Sequence, residues 1–541
     1  MTSRRALWGL IVVSGILRLA WAASIGPGND EAYHYLFTTH PDLSYFDHPP
    51  MLAVVEALGI TMTTGTASVF SLRLGFVLLF AGSTWLMARL TSRFHGARAG
   101  LLAAFALNLS AYHTAAAGAF ALPDGPLLFF WLLTLDRLTL ALGLSDDEHA
   151  GDVDSGGLRP WIGVGLAWGG GMLSKYHAIF LPAGVMLYLV IEPRARGWLR
   201  KPGPYLAALV GLIVFSPVIV WNASHGWVSF LFQAGRAVGE SRFRPETLLA
   251  AMFLPALYLL PWIWMRLVLL LLGRSRAVLN GSATSRDKFL IAQAVLPLAT
   301  FLAVACKRAV LPHWTLVGFL PLMPMLGEFW ARAFEIDPPR FRRKALAMAM
   351  FPLLLALGVV FQARTGFFQK GRPGGVGLFA ANLDPTIDIV GWDAVAQELR
   401  NRGLLNDPDT FLFTCRWYES GHLGFAVRGT TTPVLCYHAS DARSFAFWSK
   451  PQQWVGRDGV LVLINGSPYE TDRLASGFER IEPLGTFEVV RAGTSIRNVQ
   501  LFRCVRQKRA FPFEEWGGKT QKILAKPARQ VATETHAEAV R

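Results

Sequence analysis

Eleven apolar runs, most of them near the length that crosses a lipid bilayer, occupy the first 361 residues of this chain. They cover residues 6–23, 69–90, 98–118, 122–143, 160–173, 176–191, 204–221, 248–272, 289–305, 310–330 and 345–361. A hydrocarbon core of about 30 Å calls for about 20 apolar residues per helix, so the runs predict an all-α polytopic membrane protein with about eleven transmembrane helices. Only 16% of the residues are charged and 52% are hydrophobic, which leaves too little polar surface for a soluble chain of several domains and too many apolar groups for a disordered one. Four cysteines exclude a disulfide scaffold and a multi-thiolate metal framework. The run 160–173 is short and carries Gly169, Gly170 and Gly171, so it and the next run form either two spans or one tight hairpin. The first run also has the flanks of a cleavable signal peptide, but Arg18 within it argues for an uncleaved helix.

Loop charge sets the direction. With the N-terminus in the cytoplasm, the inner segments carry Arg4 and Arg5; Arg89, Arg93 and Arg98; Arg194, Arg196, Arg200 and Lys201; Arg274, Arg276, Arg286 and Lys288; and Arg332, Arg340, Arg342, Arg343 and Lys344. The first outer loop, 24–67, has no Lys or Arg. This is the positive-inside bias, and it explains the net charge of +15 without nucleic acid as a partner. The acidic loop 145–157 is uninformative, because Asp and Glu hardly affect topology.

After Phe361 the apolar runs shorten to strand length at 411–413, 459–464 and 488–490, and 391–400 reads as an amphipathic helix. The expected division is a membrane core over 1–362, a small extracytoplasmic α/β domain over 363–508, and a disordered polar tail over 509–541.

Chemistry-bearing residues gather at the expected outer ends of the helices. The first loop reads Asn29-Asp30-Glu31-Ala32-Tyr33 and, further on, Tyr45-Phe46-Asp47-His48-Pro49-Pro50. A carboxylate at the membrane–water boundary can take a proton from an acceptor hydroxyl as its oxygen attacks a sugar carbon. Asp47 and His48 suit a hard divalent ion if the loop turns tightly; otherwise Asp47 caps the amphipathic helix that follows and His48 packs on the membrane surface. Pro123-Asp124-Gly125-Pro126 opens the fourth run, where Asp124 caps the helix, serves the site, or does both. Lys175 and Tyr176 fall between two apolar runs, where the lysine snorkels or holds a phosphate. Lys307 and Arg308, with His313 close behind, put cations where the charge bias disfavours them, and a lipid phosphate is a fitting partner. No Walker motif, Gly-rich phosphate loop or nucleophile elbow appears.

These motifs, together with Ser216-Pro217-Val218-Ile219-Val220-Trp221-Asn222 and His225-Gly226-Trp227, resemble the bacterial branch of the protein O-mannosyltransferase clan, which includes the aminoarabinose and galacturonosyl transferases of lipid A. The resemblance spans about residues 26–324, with a fainter match at 384–392 and Trp417-Tyr418. It implies a GT-C fold and a polyprenyl-phosphate-linked sugar donor. By position Asp30 resembles the clan's catalytic acid, with Glu31 beside it, and Asp124 the supporting acid. Where the lipid A enzymes have a phosphate-binding lysine before the Pro-Pro pair, this chain has Asp47-His48. That departure shifts the expected donor-phosphate contacts to Lys175, Tyr176, Lys307, Arg308 and His313 and suggests a divalent metal ion at Asp47 and His48.

The expected function is therefore sugar transfer to a lipid, glycan or protein acceptor at the outer side of a bacterial inner membrane, with membrane lipids as partners. A transporter or flippase of a lipid-linked saccharide is the alternative, but it would carry its polar groups at mid-helix. The topology is testable. An impermeant maleimide should label single cysteines placed at Thr38 or Glu246 in intact cells and spare one at Arg200; labelling at Arg200 would reverse the orientation.

Overall fold

A computed structural model describes residues 2–144, 157–237, 242–438, 440–466 and 468–513. The acidic loop and nearly all of the expected tail lie outside the described residues. The chain divides into two compact units.

The first unit comprises Met1–Ala22, His48–Trp221 and Phe230–Ala356 and is helical. Among the described residues five helices are long and apolar enough to cross a membrane: Ser3–Ala22, Val69–Leu109, Pro202–Ser224, Ser285–Ala305 and Pro338–Thr365. The others are shorter or interrupted, for reasons the sequence supplies. The two runs expected over 69–118 form one 41-residue helix, Val69–Leu109, kinked where Gly96 takes a φ of 83°. The run 248–272 is cut by Pro255 and Pro261 into Pro245–Phe253, Pro255–Leu259 and Pro261–Leu279, since a prolyl ring blocks the preceding turn. The run 310–330 begins as a 3-10 turn, Pro312–Thr315, passes through the short helix Leu316–Phe319, and settles into the helix Met323–Ile336 only after Pro321, with Pro324 in its first turn. The amphipathic stretch after Pro50 is a helix, Met51–Thr61. Its packing against Val69–Leu109 needs glycine: a Cβ on Gly59 would stand 2.2 Å from the Ser71 carbonyl oxygen.

The second unit comprises Ala23–Asp47, Asn222–Ser229 and Leu357–Arg541. Among the described residues it has five strands, β1 (Thr410–Thr414), β2 (Val434–Cys436), β3 (Asp458–Ile464), β4 (Phe478–Arg491) and β5 (Thr494–Gln507), in the order β2-β1-β3-β5-β4. The pairs β1–β2 and β1–β3 are parallel, while β5 runs antiparallel to β3 and β4. β1 and most of β3 are buried, as expected for central strands covered on both faces. The expected amphipathic helix is present as Trp392–Asn401. One division differs from expectation: the first loop, with its helix Asn29–Thr39, belongs to this unit rather than to the helical core. Small residues bind it there, for a Cβ on Gly421 of the helix Trp417–Ala426 would lie 2.8 Å from the Tyr33 backbone.

Candidate active site

In the α/β unit the site grows from the first turn of Asn29–Thr39. Glu31 turns back so that its Oε2 accepts the Gly28 N–H at 2.9 Å, closing the helix start; this is the reciprocal half of a capping box. Asn29 donates from Nδ2 to Asp388 at 2.9 Å, and its Oδ1 accepts from His422 Nε2, also at 2.9 Å. His422 stacks flat on Trp392, and burial lowers its pKa to about 3, so the ring is neutral and Nε2 carries the proton. Three domain side chains thus fix the turn that holds Asp30. Asp30 itself stays open, with its side chain 55% exposed.

Asp47 is buried, and both of its oxygens are engaged. The Tyr33 hydroxyl donates to Oδ1 at 3.2 Å and Arg443 donates to Oδ2 at 3.1 Å. The Ser444 N–H donates to the Tyr33 hydroxyl at 3.0 Å. Burial, then the charge of Asp47, raises the Tyr33 pKa well above that of a free phenol, which keeps it a donor. The Arg443 guanidinium lies 3.4 Å from the Trp417 ring centroid and 4.0 Å from Asp30 Oδ1. Burial alone would lower the Arg443 pKa, but the charge of Asp47, with Tyr33, Asp30 and Asp441, outweighs it and raises the pKa. Among the described residues no group of three or more His, Cys, Asp or Glu gathers to hold a metal ion. With Asp47 already holding a guanidinium, the donor set does not fit the ion expected there with His48. Asn222 and Ser229 support the same loop: Asn222 Oδ1 accepts the Ser229 N–H, and Ser229 Oγ donates to the Tyr45 carbonyl, each at 3.1 Å.

In the helical unit Asp124 opens the helix Asp124–Ala141. The N-cap residue is Pro123, which caps nothing by its side chain, and Asp124 stands in the acidic first turn. Its carboxylate takes Lys175 Nζ between its two oxygens at 2.9 and 3.0 Å, with both side chains nearly buried. Lys175 reaches this partner because the chain turns extended there, at the end of Arg159–Ser174. Asp124 also walls a small cavity with Tyr112, His113 and His313, and the rings of Tyr112 and His313 stack 5.5 Å apart. Tyr176 packs edge-on against Phe215 and Phe230. Lys307 is exposed, whereas Arg308 donates to the Gly235 carbonyl at 2.5 Å. The sequence reading missed Arg443, Tyr33 and Tyr112. Tyr33 sits within a quoted motif, but nothing local marks Tyr112 or Arg443, the latter 396 positions from Asp47.

The helical fold with its small C-terminal sheet is similar to that of known GT-C structures. Residues 47–221 match the family model described as dolichyl-phosphate-mannose-protein mannosyltransferase, so the resemblance expected from the motifs holds over that segment. The chain is 29% identical over 198 residues to the lipid A galacturonosyltransferase RgtD of Rhizobium johnstonii. That match covers 36% of this chain and 38% of the relative, so the chain spans about two fifths of that protein's length. Among solved structures it is similar to ArnT from Cupriavidus metallidurans bound to undecaprenyl phosphate, with TM-score 0.58 and 17% identity over 91% of this chain and 97% of the other. The apo form of the same protein gives TM-score 0.59 at 15% identity, covering 93% and 98%. These likenesses establish the fold.

The Asp124–Lys175 pair makes a stability prediction. Lys175→Met should cost ~3–5 kcal/mol, because it strands a nearly buried carboxylate. Adding Asp124→Asn should recover much of that loss in thermal unfolding of the detergent-purified protein. Equal stability of Lys175→Met and wild type would show that the pair is not held in solution.

Proposed function

We propose that the chain is an integral-membrane glycosyltransferase that moves a sugar from a polyprenyl-phosphate donor to a hydroxyl of a lipid, glycan or protein acceptor. The transfer takes place at the outer side of a bacterial inner membrane, with the N-terminus cytoplasmic and about eleven spans. The similar ArnT structure is described as bound to undecaprenyl phosphate, which supports a lipid-linked donor, and RgtD is named for lipid A, which supports a lipid acceptor. One observation carries the catalytic assignment. Of the three carboxylates in the quoted first-loop motifs, Glu31 closes a helix and Asp47 holds Arg443, while Asp30 is exposed on a fixed turn; Asp42, also exposed, lies outside those motifs and accepts the N–H of its neighbour Leu43.

In this reading Asp30 accepts the proton of the acceptor hydroxyl as that oxygen bonds to the anomeric carbon of the donor sugar. The bond from that carbon to the phosphate oxygen breaks, and polyprenyl phosphate leaves with the electron pair. Arg443 orients Asp30 while meeting the charge of Asp47. Tyr176, Lys307, Arg308 and His313 are assigned to the donor phosphate. Lys175 is assigned to hold Asp124, which keeps the role of supporting acid; Glu31 keeps the role of shaping the turn that presents Asp30.

Asp30→Asn preserves shape but cannot accept a proton, so transfer should fall at least ~100-fold, the lower end of general-base contributions. The measurement is transfer of radiolabel from a panel of polyprenyl-phosphate sugars in membranes carrying equal amounts of protein. Wild-type turnover by Asp30→Asn would remove Asp30 as the base, and absence of transfer by the wild type across the panel would remove the donor class.

A further inference from the structure

An apolar groove of about 270 Å³ opens in the helical unit among the helices Asp124–Ala141, Arg159–Ser174, Phe180–Ile191 and Pro202–Ser224. Leu138, Trp161, Trp168, Val185, Leu189 and Ala208 line it. The groove reaches Leu138, about 21 Å along its helix from Asp124 at 1.5 Å per residue, and none of Tyr112, His113, Asp124 and His313, which wall the Asp124 cavity, lines it. A dry concavity on helices that face lipid fits a hydrocarbon chain.

The chain beside the groove supplies a second element. The 3-10 segment Pro193–Arg200 and the next residue present Arg194, Arg196, Arg200 and Lys201, all exposed. None of these four is in an ion pair among the described residues, and the one nearby carboxylate, Glu192, is taken by Lys288 at 3.1 Å. Trp198 joins the two elements: its ring lies 5.0 Å from that of Trp161 in the groove wall, and Lys201 Nζ sits 4.2 Å above it. Tryptophan and long cations mark the level of lipid headgroups. The positive-inside bias accounts for the cations at this end, but not for a groove of acyl-chain character directly beneath them. The adjoining polar cavity, about 640 Å³, is a different case. Its wall includes Glu192, Asp287 and Glu328, and Asp287 and Glu328 already hold Arg274.

We propose that this is a binding site for one anionic phospholipid, with its phosphate among Arg194, Arg196, Arg200 and Lys201 and one acyl chain in the groove. The pairing of a basic cluster with an interhelical apolar slot is the chemistry that selects anionic over zwitterionic lipid. It is independent of the sugar-transfer reading, because it draws on no residue assigned to that reaction.

Native mass spectrometry of the full chain in detergent tests it, with phosphatidylglycerol, phosphatidylcholine of the same acyl chains, and inorganic phosphate as separate additions. One phosphatidylglycerol should be retained with at least tenfold the occupancy of phosphatidylcholine, and inorganic phosphate should not displace it. Ala208→Trp, which fills the groove from an exposed position, should lower that occupancy. The combined variant R194Q/R196Q/R200Q/K201Q should abolish the preference at an unchanged unfolding temperature. Equal retention of the two lipids, or displacement by inorganic phosphate, would overturn the proposal; so would full phosphatidylglycerol occupancy in either variant.

Discussion

A charge taken out of water must be met by an opposite charge or by several aimed hydrogen bonds, and this constraint shapes both units of the molecule. Asp124 meets Lys175 in the helical unit, and Asp47 meets Arg443 in the α/β unit. Asp384, buried beneath the sheet edge, meets Arg491 with Thr386 and Gln362 filling its remaining positions. Arg18, within the first helix, pairs with no carboxylate among the described residues but donates to Asn108 and Thr114 and lies over the Phe80 ring. Most charged groups that look reactive in the chain are engaged in this way.

What remains open is therefore informative. Satisfying Glu31, Asp47 and Arg443 leaves Asp30, of the carboxylates in the first-loop motifs, turned outward, and it sits on a turn fixed by Asn29, His422 and Asp388. A general base works best when its position is fixed before the substrate arrives. The same order explains why the first loop belongs with the C-terminal half of the chain: its buried aromatic and charged groups find partners in Trp417, Arg443, Phe445 and Trp448.

Much of this was legible in the sequence, because apolar length is a strong local signal. Each apolar run is helical, and the departures fall at Gly96, Pro255, Pro261, Pro321 and Pro324, where backbone chemistry overrides hydropathy. Asp30 and Asp124 were visible as carboxylates at the ends of apolar runs. The partners were not. Lys175 reads as a phosphate ligand when considered alone and becomes a counter-charge only when the fold brings Asp124 to it, 51 positions away. Asp47 beside His48 suggests a metal because neighbours in sequence are visible and Arg443 is not. Long-range pairing of single residues leaves no periodicity or spacing to read.

The central claim is that the Arg443–Asp47 pair places Asp30 for proton transfer. The most direct test is a double-mutant cycle in transfer rate on Arg443→Gln, Asp47→Asn and the combined variant, each verified as folded by its unfolding temperature. The account predicts that each single change lowers kcat at least ~10-fold, as when a positioned catalytic group is misplaced, with donor KM little changed. The double variant should then be no worse than the poorer single one, since both changes break the same link. A folded Arg443→Gln protein turning over at the wild-type rate, or fully additive losses in the double variant, would contradict it.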